Sequence, residues 1–355
     1  MAGFKCRAIL PATLVHKHLL MLPNTPSHAS NCKVSVLMPV YNAAPYLVAS
    51  VASIIEQDFR DWELICVNDG SRDDSLSILE RFANLDSRVR VIDQKNGGIV
   101  AALQRAIAES RGELLARMDA DDISVTTRFG KQVDYLQRHP DVVVVGGAAL
   151  EIDADGDPLR ITRHPSDSEE LVERLLTRHS ALIHPSVMMR RESVRKVGGY
   201  RAQYQWIEDH DLWLRLSQIG KLSNIDDVVL GYRQHSTSVC WQRSNTQREL
   251  MNTLLQEAYA ERGLVCPPDV LIDSVKTRAH GGPGKWTRMA LRGGHTRTAR
   301  KHLRALWKSD DSWRYKCRMT LEFALRYSTA AAGRKAETGS EVLPDPSAWR
   351  SRLAA

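Results

Sequence analysis

The first clear pattern in the chain is an uninterrupted β-rich apolar run, Val34-Ser35-Val36-Leu37-Met38-Pro39-Val40, broken by the turn composition Tyr41-Asn42-Ala43-Ala44-Pro45. Such a run reads as a strand buried on both faces. Leu47, Val51, Ile54 and Ile55 then recur at helical spacing. The same alternation continues. Residues 62–67 read as a second strand, ending in Asn68-Asp69-Gly70-Ser71, and Leu76, Leu79, Phe82 and Ala83 form a helical stripe. Residues 88–92 give a third strand, Asn96-Gly97-Gly98 a turn, residues 99–109 a helix and residues 114–118 a fourth strand. That strand runs directly into Asp119-Ala120-Asp121-Asp122, followed by a helix over residues 127–138 and a strand over 142–145. The order strand, helix, strand, helix predicts an α/β fold with a mostly parallel sheet covered by helices on both faces. In such sheets ligands bind beyond the carboxyl ends of the strands. Asn42, Asp69, Asn96 and the acidic cluster are therefore expected to converge on one crevice.

The second half is less regular. A helix is expected over 169–178, a strand over 186–189, a helix over 209–218 and a strand over 228–232. Asp153-Ala154-Asp155-Gly156-Asp157 has the wrong spacing for a calcium loop and no Glu at its twelfth position, so it reads as a hairpin turn. Beyond about Ser238 the chain looks helical, with a break at Gly281-Gly282-Pro283-Gly284 and a polar tail. The expected organisation is a leader over 1–32, a catalytic domain over 33–238, a basic helical extension over 239–336 and a flexible tail over 337–355. The mildly apolar stretch from Ala8 to Leu22 is interrupted by His16, Lys17 and His18, which reads as a disordered leader or a misassigned start.

Composition narrows the classes. With 43% hydrophobic and 26% charged residues over 355 positions, the chain can build a sizeable core. No run approaches the ~18 apolar residues of a membrane span. Its six scattered cysteines include no C-x-x-C pair, which argues against a zinc site or a disulfide framework and fits a reducing cytoplasm. The net charge of +7 is concentrated in residues 271–355, which hold 18 Lys+Arg against 7 Asp+Glu. That tail could face an anionic membrane, with Trp286, Met289, Leu291, Leu303, Leu306, Trp307 and Trp313 among its basic residues, or could simply cap the catalytic domain. Nucleic-acid binding is not expected, because no recognised motif accompanies the charge.

Three closely spaced carboxylates, Asp119, Asp121 and Asp122, raise one another's pKa unless a cation intervenes. A divalent metal with oxygen ligands and open positions for a nucleotide diphosphate resolves the conflict. Alternatively, the cluster is only a solvated helix start.

Taken in order, Val36-Leu37-Met38-Pro39-Val40-Tyr41-Asn42, Val67-Asn68-Asp69-Gly70-Ser71, Asn96-Gly97-Gly98 and Ala116-Arg117-Met118-Asp119-Ala120-Asp121-Asp122 closely resemble family 2 glycosyltransferases of the GT-A fold. His184-Pro185-Ser186-Val187-Met188, Gly198-Gly199-Tyr200-Arg201, Glu208-Asp209-His210-Asp211-Leu212-Trp213 and Tyr232-Arg233-Gln234-His235 extend the resemblance over roughly residues 33–238. The resemblance implies an inverting transfer from a nucleotide-diphosphate sugar, a UDP-sugar before a dTDP-sugar, in cell-surface polysaccharide or glycolipid synthesis. It assigns Pro39, Tyr41 and Asn42 to the nucleoside pocket and Asp69 to the base imide. Asp119 and Asp121 would hold Mn2+ or Mg2+ and the diphosphate, with His235 nearby and Asp209 as base. One position departs from the pattern: many relatives carry Asn where this chain has Gln104.

The residues themselves leave several roles open. Asp69 could instead cap the helix containing Leu76. Asp209 has Leu212, Trp213 and Leu216 at +3, +4 and +7, so it should share a buried helix face and titrate high. It could also be a simple helix cap, and Glu208 is the runner-up as base. Arg117 could steady a diphosphate or offset the acids beside it, as could Arg233 near His235. Asn96 lies at a crevice turn. The expected acceptor is a glycan or lipid-linked glycan, and the expected location is cytoplasmic, at the inner membrane face. Two rival readings are a nucleotidyltransferase, which wants a Gly-rich phosphate loop absent after the first strand, and a non-catalytic glycan-binding descendant, which would be expected to have lost Asp119, Asp121 or Asp209. A dinucleotide oxidoreductase fails for lack of G-x-G-x-x-G.

Overall fold

The computed structural model describes residues 32–235, 244–271, 282–330 and 343. Residues 1–31 of the leader, residues 236–243, 272–281 and 331–336, and all of the tail but Leu343 lie outside the described residues.

Strands β1 (Val34–Val40), β2 (Trp62–Asp69), β3 (Val89–Gln94) and β4 (Leu114–Arg117) pair in parallel in the order β3-β2-β1-β4. Helices α1 (Ala44–Ile55), α2 (Ser75–Leu85) and α3 (Ile99–Glu109) make the crossovers. All eight residues of β2 are buried, as are all of β1 except Pro39, which is what continuous apolar runs in a doubly covered sheet require. Side chains alternate between faces. Val34, Val36, Met38 and Val40 meet Leu47, Val51, Leu79 and Phe82 on one side, while Leu37, Ile65 and Val67 meet Val100 and Leu103 on the other.

The sheet continues through the second half, with β5 (Ile123–Ser124), α4 (Arg128–Arg138), β6 (Val142–Ile152), β7 (Pro158–Thr162), α5 (Ser168–Leu176), β8 (Met188–Arg190), α6 (Arg191–Lys196), α7 (Glu208–Leu216) and β9 (Lys221–Arg233). The order is β3-β2-β1-β4-β8-β6-β9-β5, with β7 paired to β6. Several elements differ from the sequence pattern, among them the short β5 and α6, which it did not show. The expected strand over 186–189 is a 3-10 turn, His184–Ser186, followed by β8. Strand β6 runs on past Val145 through Gly146 and Gly147, where β9 approaches so closely that a Cβ on Gly147 would meet Val229 at 2.7 Å. Strand β9 begins at Lys221, because a register shift opposite Gly147 lets Asp226 and Asp227 face solvent without ending the strand.

Residues 153–157 form the expected hairpin turn between β6 and β7. Asp153 Oδ1 accepts from the amides of Asp155 (3.0 Å) and Asp157 (2.9 Å), and Gly156 takes φ +92°. Helix α8 (Ser244–Glu261) adds Leu254, Leu255 and Ala258 to the apolar cluster that holds Leu212 and Trp213 of α7. Helices α9 (Pro283–Arg292), α10 (Thr296–Trp307) and α11 (Trp313–Ala330) form a small layer against β7. Leu159 packs among Met289, Ala290, Leu291 and Ala299, and Leu303, Leu306 and Met319 make a second cluster. Lys301 of α10 pins this layer to the hairpin turn, with Nζ 2.7 Å from Asp153, 2.7 Å from Asp155 and 2.6 Å from Asp157. His302 Nε2 lies 2.8 Å from Asp153. Most of the apolar residues of the extension are therefore core, and Trp307 and Trp313 are the exposed tryptophans among the described residues.

Candidate active site

The acidic cluster sits just beyond β4, at the carboxyl edge of the parallel half. Asp119, Asp121 and Asp122 each bring a carboxylate oxygen to within 4.8 Å of the others. Burial raises the Asp119 carboxyl above the usual range; the adjacent Arg117 opposes this, and the charges of Asp121 and Asp209 add to it. Burial, then Asp121 and Asp119, push Asp122 well above its ordinary value. Asp122 Oδ1 accepts the Arg233 amide at 2.7 Å. Its Oδ2 is buried with no hydrogen-bond partner among the described residues. Three crowded acids and an orphaned carboxylate oxygen are what a hard divalent cation would relieve, so the donor set fits Mn2+ or Mg2+.

Two arginines lie beneath the cluster. Arg117 is 2% exposed and pairs with Asp119. Its neighbour Met118 packs into the apolar cluster on the α1 and α2 side of the sheet. The Arg117 Nε has no hydrogen-bond partner among the described residues. Arg117 also depresses His184, already pushed down by burial, whose Nε2 lies 2.7 Å from the Tyr200 hydroxyl. Arg128 is fully buried, with Nη2 donating to the carbonyls of Arg117 (2.9 Å) and Val187 (3.1 Å). Sequence reading missed Arg128, because an arginine in the first turn of an amphipathic helix looks like a solvated charge.

Strand β9 closes the far side. His235 Nε2 lies 2.7 Å from Asp121 Oδ2. Arg233 reaches the cluster too, but its guanidinium donates to backbone: Nε to Asp121 O (2.7 Å), Nη1 to Asp153 O (3.2 Å) and Ala154 O (3.0 Å). It therefore braces the acidic loop against the β6–β7 turn. Tyr46, also missed, has its ring centroid 5.2 Å from that of His235 and 4.8 Å from the Arg233 guanidinium carbon.

The expected nucleoside residues gather at the ends of β1, β2 and β3. Tyr41 is 49% exposed, with an open aromatic face, and Pro39 is the half-buried residue of β1. Asn42 adopts φ +50°; its side-chain oxygen accepts the Arg72 amide at 2.8 Å and its own amide donates to Ser71 Oγ at 3.0 Å. That residue ties two crevice loops together. Asp69 does not cap α2. Its Oδ1 accepts from Gly97 N and Gln94 Nε2, and its Oδ2 from Gly98 N, all at 2.8 Å. Asn96 Nδ2 donates to the Asp69 carbonyl at 2.9 Å. Gly98, at φ +86°, lets the turn fold back over the Asp69 carboxylate. Gln104 ties α3 to the 198–200 turn, donating to Gly198 O (3.1 Å) and Tyr200 O (2.8 Å).

Helix α7 carries Glu208 and Asp209 in its first turn. The burial expected for Asp209 falls instead on Glu208; α7 is buried on nearly every side, so its apolar stripe does not pick out one acid. Glu208 is 6% exposed and Asp209 half-buried. Burial, then the Asp209 charge, lift Glu208 to about 7. Glu208 Oε2 accepts the amide of Trp206, a residue at φ +84° whose carbonyl accepts from Gln247 of α8 at 2.9 Å. Asp211, fully buried, pairs with Arg201 and Arg215 and is structural. The charge of Asp209 bears on both Asp119 and Glu208, so the two acidic groups, far apart in sequence, lie near each other.

A half-parallel sheet with an acidic loop after β4 fits the GT-A fold that the sequence resemblance implies. Comparison with known proteins agrees. The model of the glycosyl transferase family 2 matches residues 35–198. EpsE of Bacillus subtilis (strain 168) is 34% identical over 213 residues, 58% of this chain and 75% of EpsE. The amylovoran biosynthesis glycosyltransferase AmsE of Erwinia amylovora is 32% identical over 209 residues, covering 58% of this chain and 77% of AmsE. The O-antigen biosynthesis glycosyltransferase WbnJ of Escherichia coli is 30% identical over 209 residues, covering 58% and 81%. Among solved structures, S. aureus TarS 1-349 in complex with UDP-GlcNAc superposes with a TM-score of 0.52 at 16% identity, covering 84% of this chain and 83% of that one. This chain belongs to glycosyltransferase family 2.

Proposed function

We propose that the protein transfers a sugar, with inversion, from a UDP-sugar to a hydroxyl of a growing cell-surface glycan. The observation that carries this is the crowding of Asp119, Asp121 and Asp122 at the end of β4, with the charge of Asp209 near enough to bear on Asp119. Relatives named for amylovoran and O-antigen biosynthesis support the choice of acceptor class. A divalent metal held by Asp119 and Asp121, with His235 beside them, would supply Lewis-acid stabilisation of the departing diphosphate. Asp69 has made three of about four possible acceptor bonds, so one site remains for a pyrimidine imide N–H. The exposed ring of Tyr41 offers a stacking face for the base.

Asp209 is the base in this reading. Glu208, the more buried of the two adjacent carboxylates, holds its proton up to about 7 and so serves poorly as an acceptor, whereas Asp209 is only half-buried. Asp209 takes the acceptor hydroxyl proton as the oxygen attacks the anomeric carbon. Calorimetry with UDP and with CDP, each with and without Mn2+, tests the donor assignment. UDP should bind only with metal, and CDP, lacking the imide N–H, should bind more weakly. Equal binding without metal would refute it.

Membrane contact is a second part of the proposal. Trp307 (46% exposed), Trp313 (64%), Leu321 (61%) and Leu325 (62%) leave an apolar face on α10 and α11 bordered by basic residues. No helix of the described residues is long and apolar enough to cross a membrane. An interfacial contact with anionic lipid fits this surface. Flotation with anionic vesicles should fall in Trp307→Ala/Trp313→Ala.

A further inference from the structure

A cavity of about 730 Å³ opens between β7, α9 and α11, away from the acidic cluster. Arg160, Lys285, Arg288, Arg292 and Arg318 line it, against a single carboxylate, Asp311. Lys285, Arg288 and Arg292 are spaced i, i+3, i+7, so α9 presents one cationic stripe to the space. On the wall, Arg160 lies 2.8 Å from Glu151, and Arg288 3.1 Å from Glu322. Arg292 and Arg318 are exposed and make no ion pair among the described residues. A concavity lined by one sign of charge focuses its field and gathers counter-ions. Arginine is the side chain best matched to phosphate oxygens.

The floor of the cavity adds backbone chemistry of the same sign. Helix α9 starts at Pro283 after Gly282, and no side chain caps its first turn. Its leading amides and dipole favour an anion. Gly284 lines the cavity because no side chain fits there: a Cβ would meet Tyr315 Cε1 at 2.6 Å. The cavity volume lies in the range of small-molecule sites. The catalytic machinery is connected to it, since Arg160 pairs with Glu151 in β6 while Arg233 holds the carbonyls of the turn that follows β6.

We propose that this cavity is a second anion site that binds a phosphate or diphosphate ester, separate from the donor diphosphate. That chemistry could belong to the diphosphate of a lipid-linked acceptor or to the headgroup of an anionic lipid. The test uses the full chain in EDTA, where the metal-dependent donor site is silent, and inorganic pyrophosphate as the probe. Calorimetry should show binding that weakens with added salt and drops at least tenfold in Arg292→Ala/Arg318→Ala. The charge-reversed Arg292→Glu/Arg318→Glu should lose it. Both variants should keep Mn2+-dependent UDP binding, which verifies the fold and separates this site from the donor assignment. Equal pyrophosphate affinity in wild type and variants, or no binding to wild type at millimolar concentration, overturns the proposal. Phosphatidylglycerol vesicles that retain the protein, and release it on adding pyrophosphate, identify the headgroup as occupant. Pyrophosphate binding with vesicle retention that added pyrophosphate does not reverse identifies the phosphate of an acceptor. Phosphatidylcholine vesicles should retain nothing through this cavity.

Discussion

His235 Nε2 lies 2.7 Å from Asp121 Oδ2, joining the end of β9 to the acidic loop after β4 across more than a hundred residues of sequence. The imidazole orients the carboxylate that the proposed function assigns to metal. Asp121→Asn should abolish Mn2+-dependent UDP binding and lower turnover by roughly 10³-fold or more, in keeping with loss of electrostatic stabilisation. His235→Ala should weaken metal-dependent binding about 10–100-fold, the usual scale for a supporting partner. Calorimetry with UDP and Mn2+ distinguishes the two.

Asp209→Asn should leave the UDP dissociation constant nearly unchanged and reduce kcat by about 10²–10⁴-fold, the range for loss of a general base. Unchanged kcat with a weakened KM would move the base elsewhere, with Glu208 next in line.

Glu208 gives a pH signature. Its carboxyl is lifted to about 7, so between the ordinary Glu range near 4.3 and that value the folded state binds more protons than the unfolded one. Stability from this group is therefore present at low pH and lost as pH rises through about 7. Glu208→Gln, neutral throughout, should match the wild type near pH 4 and exceed its melting temperature above pH 7. A constant difference across the range would remove Glu208 as the cause.

Lys301→Ala should loosen the hairpin turn by about 1–2 kcal/mol. That is less than the ~3–5 kcal/mol for breaking a fully buried pair, because Lys301 is 35% exposed and His302 still serves Asp153. Since Arg233 grips carbonyls of the same turn, a modest loss of metal-dependent UDP affinity should accompany the fall in melting temperature.

Much of the fold was legible because the first four strands are buried on both faces, and such strands read as unbroken apolar runs. Strands β6 and β9 were cut short by pattern reading, since Gly146, Gly147, Asp226 and Asp227 look like stops but are a close approach and a bulge. The crevice residues stood out for a related reason: a polar turn must follow each buried strand. What they do with their hydrogen bonds did not. Asn42 and Arg233 spend theirs on backbone, and the Asp69 carboxylate is folded into the turn before α3. Pairings of this kind depend on loops far apart in sequence. The same is true of Arg128, whose partners are carbonyls of Arg117 and Val187.

Trp206 sits in a backbone region that a bulky side chain enters only at a cost of about 1–3 kcal/mol. Two clamps hold it there, the Glu208 carboxyl on its amide and Gln247 on its carbonyl. One clamp belongs to the site, and the other to a helix that begins after the stretch resembling the family has ended. Truncating the chain at residue 238 would thus leave every acidic residue of the cleft in place, yet free the segment just ahead of Asp209 to spring back. The proposed base thus takes its backbone setting from a helix outside the family signature.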